Sequence, residues 1–196
     1  MQNAADALAR LCDPEAEVSA HYMISETGEI WHLVEEAQRA WHAGAGSWGD
    51  LGDINSHSIG IELVNSMTHP FPEPQMSALE ALLSEILRRH KITPSRVIAH
   101  SDMAPERKSD PGASFDWRRL ALQGLSIWPD PINTDGDLTG HLLASGYPSD
   151  IDRQKLLAAF RLRFRPGILG PETADDRALA AGLAARFPFD AKRPPP

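Results

Sequence analysis

Helical periodicity governs several stretches of the chain. Apolar side chains recur every three or four positions over residues 74–90, which predicts an amphipathic helix packed against a core. Residues 3–12 repeat small and apolar side chains with the same spacing, and residues 115–125 do so after a long polar loop. The sequence therefore predicts a short first helix, a long second helix and a closing helix.

Alternation with a period of two marks the strands. Residues 21–24 and 30–34 flank a turn at Thr27-Gly28, which predicts a hairpin. Residues 58–65 alternate apolar side chains with Gly60 and Glu62, which predicts a strand whose glutamate faces away from Ile61. Residues 97–101 are expected to form a short buried strand. Strands that alternate with helices favour an α/β fold with helices packed on a sheet.

The pattern changes after residue 127. Pro, Asp, Gly and Asn dominate residues 128–136, which is typical of a linker. Three helical patterns follow, over about 137–145, 151–164 and from Thr173, a residue suited to an N-cap. We therefore predict a first domain over 1–127, a linker over 128–136, a small three-helix module over 137–190 and a disordered tail over 191–196.

Composition narrows the function classes. A chain of 196 residues with a formal net charge of −8 argues against a general nucleic-acid binder, because phosphate contacts need clustered Lys and Arg. Its one cysteine, Cys12, excludes an intrachain disulfide. No apolar run approaches the roughly 20 residues of a membrane span, and the first residues do not have the pattern of a signal peptide.

The segment that follows the predicted strand 97–101 carries the strongest chemical signal. His100 lies near the end of that strand, and Asp110 follows ten residues later in a Pro-Gly turn. An imidazole and a carboxylate that converge across such a loop are good zinc ligands. Catalytic zinc usually takes three protein ligands, so a third is needed.

Two further residues are candidates for catalysis. Glu62 projects from an apolar strand, where a carboxylate is costly unless it has a partner or a task, and it could act as a general base. Lys108 could stabilise the negative charge of a tetrahedral intermediate. Taken singly, each residue also has a structural interpretation: a hydrogen-bonded His, an Asp that shapes its turn, or a Glu on the wet face of a sheet.

The motifs in combination match a family. The segments SHSIGIELVN (56–65) and VIAHSDMAPERKSDPG (97–112) closely resemble the zinc N-acetylmuramoyl-L-alanine amidases, whose superfamily includes the peptidoglycan recognition proteins. The motifs VSAHYMI, WHAG at 41–44 and FDW at 115–117 are similar to that family too. The resemblance covers about residues 3–128. The C-terminal segment is similar to small three-helix peptidoglycan-binding modules.

The resemblance implies a fold and a reaction. The fold would be a mixed central sheet flanked by helices, with the small helical module appended. His100 and Asp110 would bind Zn²⁺, Glu62 would be the catalytic acid/base, and Lys108 would assist the transition state. The enzyme would hydrolyse the amide between N-acetylmuramic acid and L-alanine in peptidoglycan or muropeptides. We further expect a monomer, without a membrane span or a nucleic-acid partner.

The chain departs from the family at its first zinc ligand. In the family this ligand is a His at the end of a strand that precedes the helix predicted here at 3–12, and no residue before position 3 supplies it. His21 is a substitute that we do not favour, because VSAHYMI matches the family's second strand. The start codon could be assigned too late, the chain could be truncated, or it could be a variant that binds without cleaving. We favour the first, because Glu62, His100 and the other matched residues are all present.

The alternative function is therefore a non-catalytic peptidoglycan-binding protein. The substrate of an active enzyme would be either intact wall or anhydro-muropeptides. The expected compartment is the cytoplasm if Met1 is the true start, and the periplasm or envelope if a signal peptide lies upstream.

Overall fold

The computed structural model describes residues 3–189, which form a small sheet, helices on both of its faces and a C-terminal helical layer. The three strands are β1 (Tyr22–Ile24), β2 (Ile30–His32) and β3 (Ile61–Leu63). The seven α-helices are α1 (Ala4–Leu11), α2 (Glu73–His90), α3 (His100–Met103), α4 (Trp117–Leu122), α5 (Leu138–Ala144), α6 (Arg153–Phe164) and α7 (Ala174–Arg186).

The sheet is mixed, in the order β2-β1-β3. The hairpin strands β1 and β2 are antiparallel, and β1 and β3 are parallel, with Met23 opposite Glu62. The predicted fold class, a mixed sheet flanked by helices, is confirmed. Within the described residues β3 is an edge strand, so the carboxylate of Glu62 lies at an edge of the sheet.

The prediction of a strand over 97–101 is wrong. Residues 97–99 lead directly into α3, which begins at His100. Side chains bind the backbone groups that a strand ladder would use: the N–H of Ala99 donates to the carboxylate of Asp102, and the carbonyl of Val97 accepts from Arg163. Because Arg163 is distant in the sequence, the apolar run alone could not reveal this.

Alternation along the strands places a different helix on each face of the sheet. Tyr22 and Ile24 face α2 and share its core, whereas Met23 and Val64 pack with Ala7 of α1. Glu62, opposite Met23 in the register, belongs to the α1 face. The sheet therefore separates the main core from the face that carries Glu62.

The C-terminal helices form a layer with a core that extends into the first part of the chain. Phe160, Leu156 and Leu138 are fully buried and belong to one cluster with Trp48 and Met103. Three helices are present where the sequence predicts them. The domain boundaries and the likeness to a peptidoglycan-binding module stay predictions.

Two other expectations concern the ends and the membrane. The tail over 191–196, predicted to be disordered, lies outside the described residues. Within residues 3–189, none of the helices has both the length and the apolar character that a membrane crossing requires.

Candidate active site

His100 and Asp110 meet at the N-terminus of α3. The Nδ1 atom of His100 is hydrogen-bonded to Oδ2 of Asp110, and the N–H of Ser101 donates to the Asp110 carbonyl at 3.1 Å. On its other side, His100 Nε2 lies 2.7 Å from the carbonyl of His42 and therefore carries a proton. The His100 ring is thus fixed through Nε2 by the His42 carbonyl, while Nδ1 faces the Asp110 carboxylate.

The electrostatics of the pair favour opposite charges. Burial opposes the charged form of His100, but the hydrogen bond and the negative charge of Asp110 outweigh it and raise the pKa of His100. Burial likewise opposes ionisation of Asp110, yet the hydrogen bond and charge of His100 lower the pKa of Asp110. Asp110 therefore presents an ionised carboxylate beside the imidazole, which is the form that ligates a cation.

Glu62 and Lys108 complete the group of charged residues. Burial is the main cause that raises the pKa of Glu62, and the charge of Asp110 adds to it, whereas His100 and Lys108 act in the opposite direction. Lys108 also lowers the pKa of both His100 and Asp110, so its ammonium lies within electrostatic range of all three. Of the four residues that the sequence predicts, His100 and Asp110 are thus in direct contact, and Glu62 and Lys108 interact electrostatically with them.

His42, whose carbonyl accepts from His100, has a half-buried imidazole that is neutral at pH 7. Burial is the main cause that lowers the pKa of His42 to about 4, and electrostatic interactions with His21 and His100 act in the same direction. Its Nε2 is buried without a hydrogen-bond partner in the described part of the chain. Gly60 leaves room for the ring: a Cβ there would lie 2.2 Å from Cγ of His42.

His21 is engaged by the backbone on both ring nitrogens. Its Nδ1 accepts from the N–H of Gly60 at 2.9 Å, and its Nε2 donates to the carbonyl of Gln38 at 3.1 Å. The residue is 1% exposed. With no free lone pair, His21 is a residue of the fold in this geometry and does not ligate a metal.

The loop that supplies the His42 carbonyl is fixed by residues that sequence reasoning missed. The side-chain oxygen of Asn55 accepts from the N–H groups of His42 and Ala43, at 3.0 and 2.8 Å. Arg107, from the loop after α3, donates to the carbonyls of Ala43 and Ala45. A buried Asn and an Arg next to Lys108 are visible in the sequence, but their partners are not.

The donor set fits part of a zinc site. An imidazole nitrogen and a carboxylate oxygen point at each other, and both groups are ordinary zinc ligands. Among residues 3–189, no group of three or more His, Cys, Asp or Glu side chains is placed to hold a metal ion. Within the described residues, His100 and Asp110 are therefore two candidate donors for a metal ion, and a complete ligand set is not present there.

The site and the fold define a hydrolase of the amidase class, and comparison with known proteins agrees. The sequence model of the N-acetylmuramoyl-L-alanine amidase family matches residues 1–113. N-acetylmuramoyl-L-alanine amidase AmiD of Escherichia coli K12 is 33% identical over 219 residues, which cover 93% of this chain and 79% of AmiD. The chain belongs to the N-acetylmuramoyl-L-alanine amidase family.

A second group of relatives matches the first part of the chain. The 1,6-anhydro-N-acetylmuramyl-L-alanine amidase AmpD of Haemophilus influenzae is 42% identical over 103 residues, which are 52% of this chain and 56% of AmpD. The matched share of AmpD is therefore little more than half of its length.

Solved structures confirm the architecture over most of the chain. The complex of AmiD from E. coli with the substrate anhydro-N-acetylmuramic acid-L-Ala-D-γ-Glu-L-Lys superposes with a TM-score of 0.85 at 34% identity, covering 93% of this chain and 84% of AmiD. AmpDh3 from Pseudomonas aeruginosa gives a TM-score of 0.85 at 30% identity, covering 94% and 88% of the two chains. The likeness thus includes the C-terminal helices.

Proposed function

We propose that this chain is a zinc-dependent amidase that hydrolyses the bond between N-acetylmuramic acid and L-alanine in muropeptides. The observation that carries the proposal is the convergence of His100 and Asp110 beside Glu62 and Lys108, within the fold of this family. Anhydro-muramyl peptides are the preferred substrate class in this proposal, because two similar structures, those of AmiD and AmpDh3, are complexes with such ligands.

His100 and Asp110 would hold the zinc ion through Nδ1 and a carboxylate oxygen, with at least one further ligand from outside this pair. Zinc bound there would act as a Lewis acid on the scissile carbonyl. The hydrogen bond from His100 Nε2 to the His42 carbonyl fixes the ring and leaves Nδ1 as the ligating atom.

In this proposal Glu62 moves the proton. As a general base it accepts a proton from the attacking water while the water oxygen bonds to the carbonyl carbon. It then donates that proton to the nitrogen of L-alanine as the amide C–N bond breaks. The products are a free lactyl carboxylate on the sugar and a free amino group on the peptide. Burial raises the pKa of Glu62, which suits a group that must both accept and release a proton.

Lys108 stabilises the negative charge that develops on the carbonyl oxygen. Its positive charge acts electrostatically on Glu62, His100 and Asp110, which supports this role. Its positive charge also lowers the pKa of Asp110, in addition to the larger effect of His100. Lys108 thus supports both the transition state and the ligand set.

Two variants separate metal binding from chemistry. Asp110→Asn removes an anionic ligand, so bound zinc falls, as measured by metal analysis of the dialysed protein. Glu62→Gln retains the zinc of the wild-type chain but lowers kcat about 10²- to 10⁴-fold, the usual worth of a positioned acid/base. Matched controls are Asp150→Asn and Glu85→Gln, both at exposed carboxylates. Wild-type turnover in Glu62→Gln would contradict the assigned role.

The second candidate is a protein that binds peptidoglycan without cleaving it. The observation that favours it is that the described residues supply two metal ligands, which would hold zinc weakly. The zinc content of the full chain distinguishes the two functions: one zinc per chain with peptide release supports the amidase, whereas binding to peptidoglycan with neither zinc nor release supports the second candidate.

A further inference from the structure

A fully buried ion pair joins the C-terminal helices to the segment that carries His100. The Arg163 side chain on α6 is 3% exposed, the Asp102 side chain on α3 is completely buried, and Nη1 of Arg163 donates to Oδ2 of Asp102 at 2.7 Å. Removing two charges from water is costly, and a well-packed apolar pair often gives equal stability. The pair therefore requires an explanation beyond stability.

Asp102 uses both carboxylate oxygens to hold the start of α3. Oδ2 also accepts from the N–H of Ala99 at 2.9 Å, and Oδ1 accepts from the hydroxyl of Tyr147 at 2.8 Å. Ala99 directly precedes His100, and Asp102 lies two residues after it. The Asp102 carboxylate thus links the residue before His100 to the helical turn after it.

Arg163 holds the same segment at a second point. Its Nη2 donates to the carbonyl of Val97 at 2.9 Å and to the hydroxyl of Ser126 at 3.1 Å. The guanidinium carbon of Arg163 lies 4.2 Å from the centre of the Trp117 ring, and this cation–π contact helps to fix the orientation of the guanidinium plane. The Arg163 side chain therefore binds the segment on both sides of His100, at Val97 before it and at Asp102 after it.

The segment needs such support. The helix α3 has only four residues, and a single turn is unstable by itself because helix nucleation is unfavourable. The ring of His100 must meet the carbonyl of His42 and the carboxylate of Asp110 at once. A small tilt of α3 would separate the ring from one of these partners.

We propose that Arg163, acting through Asp102 and Val97, is a positioning residue for His100, so that the C-terminal helices complete the active site. The catalytic consequence rests on the proposed function. The positional claim concerns the fold and is tested without turnover.

The first experiment observes the His100 ring in the metal-free full chain. With ¹⁵N-labelled histidine, the Nε2–H of His100 that donates to His42 should give a protected imidazole resonance in NMR spectra. In Arg163→Met the resonance is expected to be lost. The matched control is Arg161→Met, which removes an equally buried guanidinium of α6 that pairs with Asp176 on α7, at 2.6 Å. The control should retain the resonance.

Milder variants keep the test decisive if Arg163→Met does not fold. Arg163→Lys keeps a positive charge beside Asp102 and should retain the resonance, whereas Tyr147→Phe removes one bond to Asp102 and should weaken its protection. An unchanged His100 resonance in folded Arg163→Met, or an equal loss in Arg161→Met, would overturn the proposal.

Kinetics supply the second readout. Arg163→Met is expected to lower kcat by on the order of 10- to 100-fold with little change in KM, because a misplaced ligand affects the transition state more than substrate binding. Arg161→Met should leave kcat near the wild-type value. If the wild-type chain releases no peptide, the proposed function fails, while the NMR comparison still decides whether Arg163 positions His100.

Discussion

At the scale of single residues, the candidate site depends on which side-chain atoms remain free. His21 and His42 lie side by side, with ring centres 5.5 Å apart, but both ring nitrogens of His21 are bound to backbone. His100 binds backbone through one nitrogen and faces Asp110 with the other. Proximity of histidines alone would not separate these roles, whereas their hydrogen bonds do.

The carboxylate of Glu36, which lies outside the candidate site, gives a prediction for how the stability of the fold depends on pH. The hydrogen bond from Arg89, supported by bonds from His90 and Tyr22, lowers the pKa of Glu36 to about 2, and the Glu36 side chain is 13% exposed. Because the folded pKa is depressed, the stabilisation is complete above the ordinary value of 4.5 and is lost as the pH falls towards about 2.

Glu36→Gln should therefore lower the free energy of unfolding by about 1–2 kcal/mol at pH 7, after allowance for the exposure of Arg89 to solvent. The difference from the wild type should shrink as the pH falls below about 4.5. Urea titrations at several pH values measure it, with Glu35→Gln at an exposed neighbour as the control. A difference that stays constant down to pH 2 would exclude ionisation as the cause.

At the scale of elements, Gln75 connects α2 to the parallel strand pair. This completely buried side chain donates to the carbonyls of Ile24 and Val64, at 3.0 and 2.9 Å, just where β1 and β3 end. The bridge holds together the strand that carries Glu62 and its neighbour. Because the strands have only three residues each, these two side-chain hydrogen bonds are an important part of the sheet's stability.

Gln75→Leu should destabilise the fold by about 1–3 kcal/mol, because it leaves a buried carbonyl without its donor. Thermal or urea unfolding measures the loss, and Gln154→Leu, at an exposed position of α6, is the matched control. A Gln75→Leu protein as stable as the control would show that the bridge contributes nothing to the sheet.

Comparison of the predicted and observed elements shows which parts of the fold the hydrophobic pattern determines. The 3.6-residue period predicts α2 to within one residue at its start, since one face must be apolar to cover the sheet. The same logic fails for residues 97–101, because Asp102 and Arg163 satisfy backbone groups there that a strand partner would otherwise bind. Motifs suffice to nominate His100, Asp110, Glu62 and Lys108 as candidate site residues, and their roles stay predictions. The supports from Asn55 and Arg107 depend on contacts between distant loops, which no local pattern encodes.

At the scale of the whole molecule, the C-terminal helices and the amidase fold share a core. Phe160 is completely buried in a cluster that also contains Trp48 and Met103, and Met103 belongs to the helix that begins at His100. A common core of this kind favours cooperative unfolding of the two parts. The wide coverage of the AmiD and AmpDh3 structures fits the same view.

Phe160→Ala should therefore destabilise the whole chain by about 3–5 kcal/mol, the usual cost of truncating a buried aromatic side chain. Native-state hydrogen exchange should show faster exchange in β1 as well as in α7, because both belong to one cooperative unit. Faster exchange confined to α5–α7, with β1 unchanged, would show that the two parts unfold independently.

The central claim is that this chain cleaves the amide between N-acetylmuramic acid and L-alanine. The most direct measurement incubates the full chain and zinc with an anhydro-N-acetylmuramyl tripeptide and identifies the products by mass spectrometry. The predicted result is a free tripeptide with L-alanine at its amino end, together with the anhydro sugar acid, and far less of both with Glu62→Gln. Intact substrate after incubation with a zinc-loaded chain, or cleavage at another bond, would contradict the claim.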